Sequence, residues 1–170
     1  MKKNLLVAQS GGPTAAINAT LAGVIGQAMK EEQIDQVYGA CYGIQGVLEQ
    51  KFVNLTEKVD TEEKLEKLKR TPAAALGSCR FKLNNIKEDD SQYQEIVDIL
   101  HKMNIGYFVY IGGNDSMDTV SKLSRYAGFM NSDIRFIGVP TTIDNDMVEP
   151  DPTPGPGRPA NSVAPPVREL

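Results

Sequence analysis

The chain has 170 residues, of which 41% are hydrophobic and 24% charged, and its formal net charge is −4. This is the composition of an ordinary globular domain with a core of its own. The negative charge argues against a partner that is nucleic acid or an anionic membrane surface. The longest apolar runs are only strand-sized, so no transmembrane helix and no signal peptide are predicted, and we expect a cytoplasmic protein.

The cysteines and the single histidine offer little chemistry. Cys41 and Cys79 have neither metal-ligand nor disulfide spacing, so buried free thiols are expected. His101 is the only histidine, and it falls on a predicted helix far from every glycine-rich turn. We therefore expect His101 on the surface and outside any active site.

The chain begins with a strand, a glycine turn and a helix. Leu5–Ala8 is the predicted strand, and Gly11-Gly12 forms the turn, with Pro13 or Thr14 expected near the first turn of the helix. Apolar residues at helical spacing then mark the buried face, namely Ile17, Leu21, Val24, Ile25 and Ala28.

A second strand is predicted at Val37–Tyr42, followed by a turn between Gly43 and Gly46. Phe52–Leu55 is a weaker strand candidate because it is short and less apolar. These segments extend the sheet that the first strand begins.

The next segment is charged. Asp60 and Glu63 fit a capping box, which predicts a solvated surface helix that runs through Arg70. The segment 71–80 is predicted to be an irregular loop that ends in the basic residue Arg80.

Another capping box, Ser91 with Gln94, predicts the start of a helix whose apolar face contains Tyr93, Ile96, Val97 and Leu100. The apolar residues 107–111 then predict a fully buried strand, which Gly112-Gly113 ends.

Asn114, Asp115 and Ser116 are suited to the N-terminus of the helix after that strand, and Gly128 is the expected stop. The buried face of this helix is predicted to contain Val120, Leu123 and Ala127. Residues 134–139 are the last predicted strand.

Strands that alternate with helices predict an α/β fold, a doubly wound and mainly parallel sheet with helices on both faces (Rossmann-like). We assign residues 1–149 to this domain, which would bind a phosphate donor. Residues 150–170 hold seven of the ten prolines, so they are predicted to be a Pro-rich irregular tail or the start of a truncated second domain.

Three loops follow strands at the edge where such sheets bind ligands, and they contain Gly11-Gly12, Gly112-Gly113 and the segment 140–146. A glycine turn before a helix N-terminus suits a phosphate, although a lone Gly-Gly after a strand is more often just a tight βα connection. Thr142, Asp144 and Asp146 share one side of an extended segment and suit phosphoryl transfer, whereas the alternative is a solvated turn.

Four motifs occur in the order and spacing of the 6-phosphofructokinase family, and together they span most of residues 1–149. They are Ser10-Gly11-Gly12, Leu76-Gly77-Ser78-Cys79-Arg80, Gly112-Gly113-Asn114-Asp115-Ser116 and Thr142-Ile143-Asp144-Asn145-Asp146. The third motif with its continuation, Met117-Asp118-Thr119, is most similar to the pyrophosphate-dependent branch of that family.

The resemblance implies a phosphotransferase that uses Mg²⁺ and acts on fructose 6-phosphate. Asp144 would be the base that deprotonates the 1-hydroxyl group, Thr142 would hold the transferring phosphoryl group and the substrate, and Asp146 would support the charge arrangement. Asn114 would stand at the Mg²⁺ position. The candidate donor-phosphate site comprises Gly11, Gly12, Arg80, Gly113, Asp115 and Ser116.

The donor is expected to be pyrophosphate, because ATP-using relatives have Gly where this chain has Asp115. A carboxylate there fills the space for the nucleotide and repels its α-phosphate. Against this, pyrophosphate-using relatives have Lys where this chain has Thr141, which removes a cation.

The family is about twice this length or more, so the resemblance implies the N-terminal donor-binding part of a homo-oligomeric enzyme, either as a fragment or as a divergent short product. We expect little or no phosphotransfer by this chain alone. An ATP-dependent 6-phosphofructokinase and a non-catalytic phosphate-binding module remain the alternatives.

Overall fold

The computed structural model describes residues 2–141, so Thr142, Asp144, Asp146 and the Pro-rich segment lie outside the described residues. The strands of this part are β1 (Lys3–Gln9), β2 (Ile34–Ala40), β3 (Phe52–Asn54), β4 (Ile105–Gly112) and β5 (Arg135–Pro140). Its helices are α1 (Ile17–Ala28), α2 (Gly43–Leu48), α3 (Leu55–Lys58), α4 (Glu62–Arg70), α5 (Ser91–Lys102) and α6 (Asn114–Phe129). None of these helices is long and apolar enough to span a bilayer.

The five strands form one sheet in the order β3-β2-β1-β4-β5. The pairs β1–β2, β1–β4 and β4–β5 are parallel, whereas β3 runs antiparallel to β2 at one edge. The connection after β1 leads to β2, on one side of the β1–β4 pair, and the connection after β4 leads to β5, on the other side. The two connections therefore run in opposite directions along the sheet. A crevice therefore opens between the carboxyl ends of β1 and β4.

Helices cover both faces of the sheet, and this explains why the apolar run of β1 is continuous. Leu5 and Val7 point to the face that packs against α1 and α3, with Leu65 and Leu68 of α4 at its margin. Leu6 and Ala8 point to the other face, which packs against α2, α5 and α6. A strand buried on both faces carries apolar residues at every position rather than at every second one.

The predicted strands and helix faces are confirmed, except that β2 ends at Ala40 rather than Tyr42 and Leu55 belongs to α3 rather than to a strand; several helix ends are also wrong. Helix α1 begins at Ile17, so Pro13 and Thr14 precede its first turn rather than forming part of it. Helix α6 continues past Gly128 to Phe129. Gly128 is not among the glycines with positive φ, so it does not end the helix in a left-handed cap.

Neither predicted capping box forms: the N-cap of each helix lies one residue from the predicted position, and α5 has no side-chain cap. Thr61, not Asp60, caps α4 by accepting a hydrogen bond from the Lys64 backbone nitrogen, and Asp60 instead binds the Lys64 side chain. Asp90, not Ser91, is the cap position of α5. Neighbouring polar residues could each serve as the cap, and the local pattern does not distinguish them.

The predicted turn between Gly43 and Gly46 is a short helix, α2. Tyr42 precedes it in the left-handed conformation, with φ of 63°, and its backbone nitrogen donates to the Leu76 carbonyl at 2.8 Å. That partner lies in a distant loop, so the local sequence gave no sign of it.

His101 is exposed, as expected, with its Nε2 atom 2.9 Å from the Ser132 hydroxyl oxygen. Cys41 and Cys79 are free, which was expected, but they are half-buried rather than buried.

We expect the Phe108→Ala variant to lose about 3–5 kcal/mol of unfolding free energy, because Phe108 is fully buried against Tyr110 and Phe136. Phe129 is 85% exposed, so Phe129→Ala is the matched control and should change the value by less than about 0.5 kcal/mol. Urea denaturation measures both, and equal losses would contradict the assignment of the core.

Candidate functional site

The two glycine turns lie side by side. Ser10, which follows β1, donates its backbone N–H to the Ile111 carbonyl of β4 at 2.9 Å. A Cβ atom built on Gly11 would lie 3.5 Å from the backbone nitrogen of Gly113. Residues about a hundred positions apart in the chain thus form one continuous floor at the edge of the sheet.

Glycine is required in this floor for two different reasons. Gly11 has φ of +80°, a conformation that other residues rarely adopt, and a Cβ on Gly112 would lie 2.2 Å from the Ser116 hydroxyl oxygen. For Gly12 and Gly113, by contrast, no atom of the described residues, their chain neighbours aside, lies within 4 Å of an added Cβ. Among the described residues nothing therefore blocks a ligand from approaching their main chain closely.

The loop 71–80 forms the wall beside the floor. Its Ser78 hydroxyl donates a hydrogen bond to the Gly11 carbonyl. The Ser10 hydroxyl in turn donates to the Cys79 carbonyl at 3.4 Å. These bonds bring Arg80, the next residue, to the edge of the floor.

Floor, loop and α6 enclose a cleft of about 660 Å³. Its lining includes every residue predicted for the donor-phosphate site and the predicted metal position, namely Gly11, Gly12, Arg80, Gly113, Asn114, Asp115 and Ser116. Thr141 lines it too, and its backbone nitrogen donates to the Gly112 carbonyl at 2.9 Å. The structure thus brings these residues together, and their roles toward a ligand stay predictions.

The cleft carries charges of both signs. Arg80, Lys82 and Lys122 line it with Asp115 and Asp118. The Lys122 amine lies 2.6 Å from an Asp118 carboxylate oxygen, and this hydrogen bond raises the pKa of Lys122. The positive end of the α6 dipole adds to the attraction for an anion at the floor.

Oxygen atoms suited to a hard cation stand at the N-terminus of α6. The amide oxygen of Asn114 and the carboxylate of Asp115 belong to the same cleft. Within residues 2–141 no group of three or more His, Cys, Asp or Glu side chains could hold a metal ion. This donor set fits Mg²⁺, which is typically held by one or two protein oxygens together with substrate phosphates and water.

Sequence reasoning missed several residues of this site. Lys82 lies two positions beyond the Arg80 motif, and Lys122 lies one helical turn beyond Asp118, the last charged residue of the glycine motif. Helical spacing from Asp115 and Asp118 was the signal that could have identified Lys122.

Tyr110 was predicted only as a strand residue, yet it lies beneath the cleft. It is fully buried, and its hydroxyl oxygen accepts a hydrogen bond from the Ile44 backbone nitrogen at 3.4 Å. A Cβ on Gly43 would lie 3.0 Å from that oxygen. Burial raises the pKa of Tyr110 to about 12.

This pKa makes the stability of the fold sensitive to alkali. The unfolded tyrosine ionises near pH 10 whereas the folded one stays neutral, so its contribution is complete below about pH 10 and is lost as the pH rises toward 12. We expect a loss of about 1.4 kcal/mol per pH unit in that interval. Tyr110→Phe cannot ionise there, so urea denaturation at pH 8 and pH 11 should show a smaller decline for the variant. Equal declines would contradict the buried neutral hydroxyl.

Solved and curated proteins resemble the chain over almost its whole length. In structure the chain is similar to a pyrophosphate-dependent phosphofructokinase from Nitrosospira multiformis, with a TM-score of 0.82 and 38% identity over 98% of this chain and 40% of that one. A pyrophosphate–fructose 6-phosphate 1-phosphotransferase from Rhodospirillum rubrum is 44% identical over 91% of this chain and 36% of its own length. The enzyme of the same name from Xanthomonas campestris is 42% identical over 98% of this chain and 39% of its own length.

The chain therefore spans about two-fifths of the length of these relatives. The model of the phosphofructokinase family matches residues 4–167. On that match, and on the sequence identity with these relatives, the chain belongs to the phosphofructokinase family.

Proposed function

We propose that the chain forms the donor-binding part of a Mg²⁺-dependent phosphotransferase that moves a phosphoryl group from pyrophosphate to the 1-hydroxyl of fructose 6-phosphate. The observation that carries the proposal is the single cleft that contains both glycine turns, Arg80 and Asp115. Proteins that are 44% and 42% identical to this chain over the aligned residues bear the name of that reaction.

The cleft supplies what phosphoryl transfer asks of a donor site. The backbones of exposed Gly12 and half-buried Gly113 let phosphate oxygens approach the main chain, and Ser116 lines the same cleft. Arg80 and Lys82 offset negative charge on the donor. In this proposal Asp144 is the general base, Thr142 holds the transferring group and Asp146 supports the charge arrangement, all three outside the described residues.

Mg²⁺ would be held by the Asn114 amide oxygen with the Asp115 carboxylate beside it, and when bound it would neutralise charge on the donor phosphates. The amide keeps an oxygen ligand but contributes no negative charge. The metal would therefore depend more on the donor's own oxygens than it would with a carboxylate at position 114.

Asp115 selects pyrophosphate over a nucleotide in this proposal. Its carboxylate is exposed in the first turn of α6, so it meets whatever extends beyond the two phosphates at the floor. The extra phosphate and the nucleoside of ATP would lose space and gain repulsion there. Thr141, which lines the same cleft without a charge, is the feature that favours the ATP-dependent alternative.

The sugar-phosphate site and turnover would belong to the longer protein that the relatives represent, which we propose to be a cytoplasmic homo-oligomer. The 170-residue chain should accordingly bind the donor and show little phosphotransfer.

Pyrophosphate with Mg²⁺ should raise the melting temperature of the chain. A ligand at 100 times its dissociation constant stabilises the folded state by about 2.7 kcal/mol. Arg80→Met should weaken binding by about 10- to 100-fold because it removes charge-assisted hydrogen bonds. Arg125→Met is the matched control, since Arg125 is exposed on α6 and does not line the cleft.

The Gly12→Ala variant gives a second test of the donor site, with the affinity for pyrophosphate measured by calorimetric titration. Nothing in the described structure lies within 4 Å of the added methyl group, so the variant should keep its melting temperature and lose only affinity for pyrophosphate. If pyrophosphate does not raise the melting temperature of the wild type, or if Arg125→Met weakens binding as much as Arg80→Met, the assignment of the donor site is wrong.

Replacing Asp115 by Gly should narrow or reverse the preference for pyrophosphate over ATP, since it removes both the bulk and the repulsion. Thr141→Lys should tighten pyrophosphate binding, because it adds a cation beside a polyanion. Thermal shifts with the two donors at equal concentration measure both effects. Protection of the wild type by ATP and not by pyrophosphate would replace the proposal with the ATP-dependent alternative.

A further inference from the structure

Two polar side chains lie in the apolar interior beside the cleft. Gln9 ends β1 and Asn18 lies in the first turn of α1, and both are fully buried. Burying an amide is costly unless its hydrogen bonds are made, so such residues need partners. Their hydrogen-bond partners show which segment of the chain these two residues fix in place.

The Gln9–Asn18 pair, as we call these two side chains, is bonded internally, with Gln9 Nε2 donating to Asn18 Oδ1 at 3.0 Å. Gln9 Nε2 also lies 3.3 Å from the Ile17 carbonyl oxygen, to which it donates. The other hydrogen bonds of the Gln9–Asn18 pair join it to the loop 71–80, which has no regular secondary structure. Asn18 Nδ2 donates to the Thr71 carbonyl at 2.8 Å, and Asn18 Oδ1 accepts from the Ala75 nitrogen at 2.9 Å.

Gln9 completes the attachment at Leu76, whose backbone nitrogen donates to Gln9 Oε1 at 2.9 Å. The carbonyl of Leu76 accepts from Tyr42, and its side chain is buried in the core. Leu76 is therefore held on both sides of its backbone and by its side chain. The pair thus fixes the loop at its start, at residue 75 and at residue 76.

Arg80 depends on this attachment for its position. Between Leu76 and Arg80 the backbone is tied to the floor through Ser78 and Cys79. Within residues 2–141 Arg80 forms no ion pair that would orient its guanidinium group. The placement of its charge therefore follows from where the loop backbone is held.

We propose that the Gln9–Asn18 pair positions Arg80 for the donor phosphate, acting through the loop and without touching the ligand. The role toward the phosphate rests on the proposed function, whereas the attachment of the loop does not. Neither residue lies within the four sequence motifs quoted above, and both act as positioning residues.

Cys79 provides a probe of the loop that needs no ligand. With Cys41→Ser as the parent, the half-buried Cys79 is the one remaining thiol of the chain, and its rate of reaction with a disulfide reagent reports how often the loop opens. Gln9→Met keeps the length of the side chain and removes its hydrogen bonds. We expect the Cys79 rate to rise about tenfold at a temperature well below melting.

Ile96→Val is the matched control for a general loss of stability. Ile96 is fully buried in α5, on the face of the sheet opposite the pair, so the control should lower the melting temperature and leave the thiol rate within about twofold of the parent. If Gln9→Met fails to fold, Gln9→Asn retains an amide but is one methylene too short to reach both partners. A rate unchanged from the parent in the folded variant would overturn the proposal.

The link to Arg80 is tested by a double-mutant cycle on the calorimetric affinity for pyrophosphate. Gln9→Met should weaken binding about tenfold when Arg80 is present and less than about twofold in the Arg80→Met background. Equal weakening in both backgrounds would overturn positioning through Arg80. Absence of binding by the parent would overturn the proposed function and with it the role toward phosphate, while the thiol rates would still decide whether the pair holds the loop.

Discussion

The parallel pairing of β1 with β4 is the constraint on which the site depends. Val7, Ala8 and Gln9 pair with Val109, Tyr110 and Ile111 in unbroken register, so the two strands end at the same level. Each strand is followed at once by a glycine turn, and the turns therefore meet. Because β1 connects onward to β2 and β4 to β5, helices α1 and α6 leave toward opposite faces of the sheet and leave the crevice between the turns uncovered.

Much of this fold could be predicted because its signals are local. Buried strands such as β4 read as unbroken apolar runs, and helices such as α5 read as apolar residues at helical spacing. The errors fall where a distant partner decides the local conformation. Tyr42 turns into α2 because its backbone is bonded to Leu76, more than thirty residues away, and nothing in the segment itself specifies that bond.

The candidate site divides in the same way. Gly11 and Gly113 could be identified because a glycine turn between a strand and a helix is a local pattern, and Arg80 and Asp115 because family motifs contain them. Lys82 and Lys122 could not, since their place in the cleft follows from how the loop and α6 pack. Gln9 was still harder to find, because a glutamine at the end of a strand is unremarkable until its buried partners are known.

The cleft combines a floor held by backbone hydrogen bonds with the long, exposed side chains of Arg80 and Lys82, and the two parts bring different properties. The floor is held by backbone hydrogen bonds, and Asp115 is a short side chain on the first turn of α6, so repulsion from its carboxylate acts at a fixed place. Arg80 and Lys82 are long and exposed, so a ligand must order them at an entropic cost, and salt weakens their attraction. On the proposed function, discrimination between donors therefore resides in Asp115 of α6, whereas the cations add to the affinity that the floor supplies. Discrimination should then change less with ionic strength than affinity does, because the shape and bulk around Asp115 are not screened.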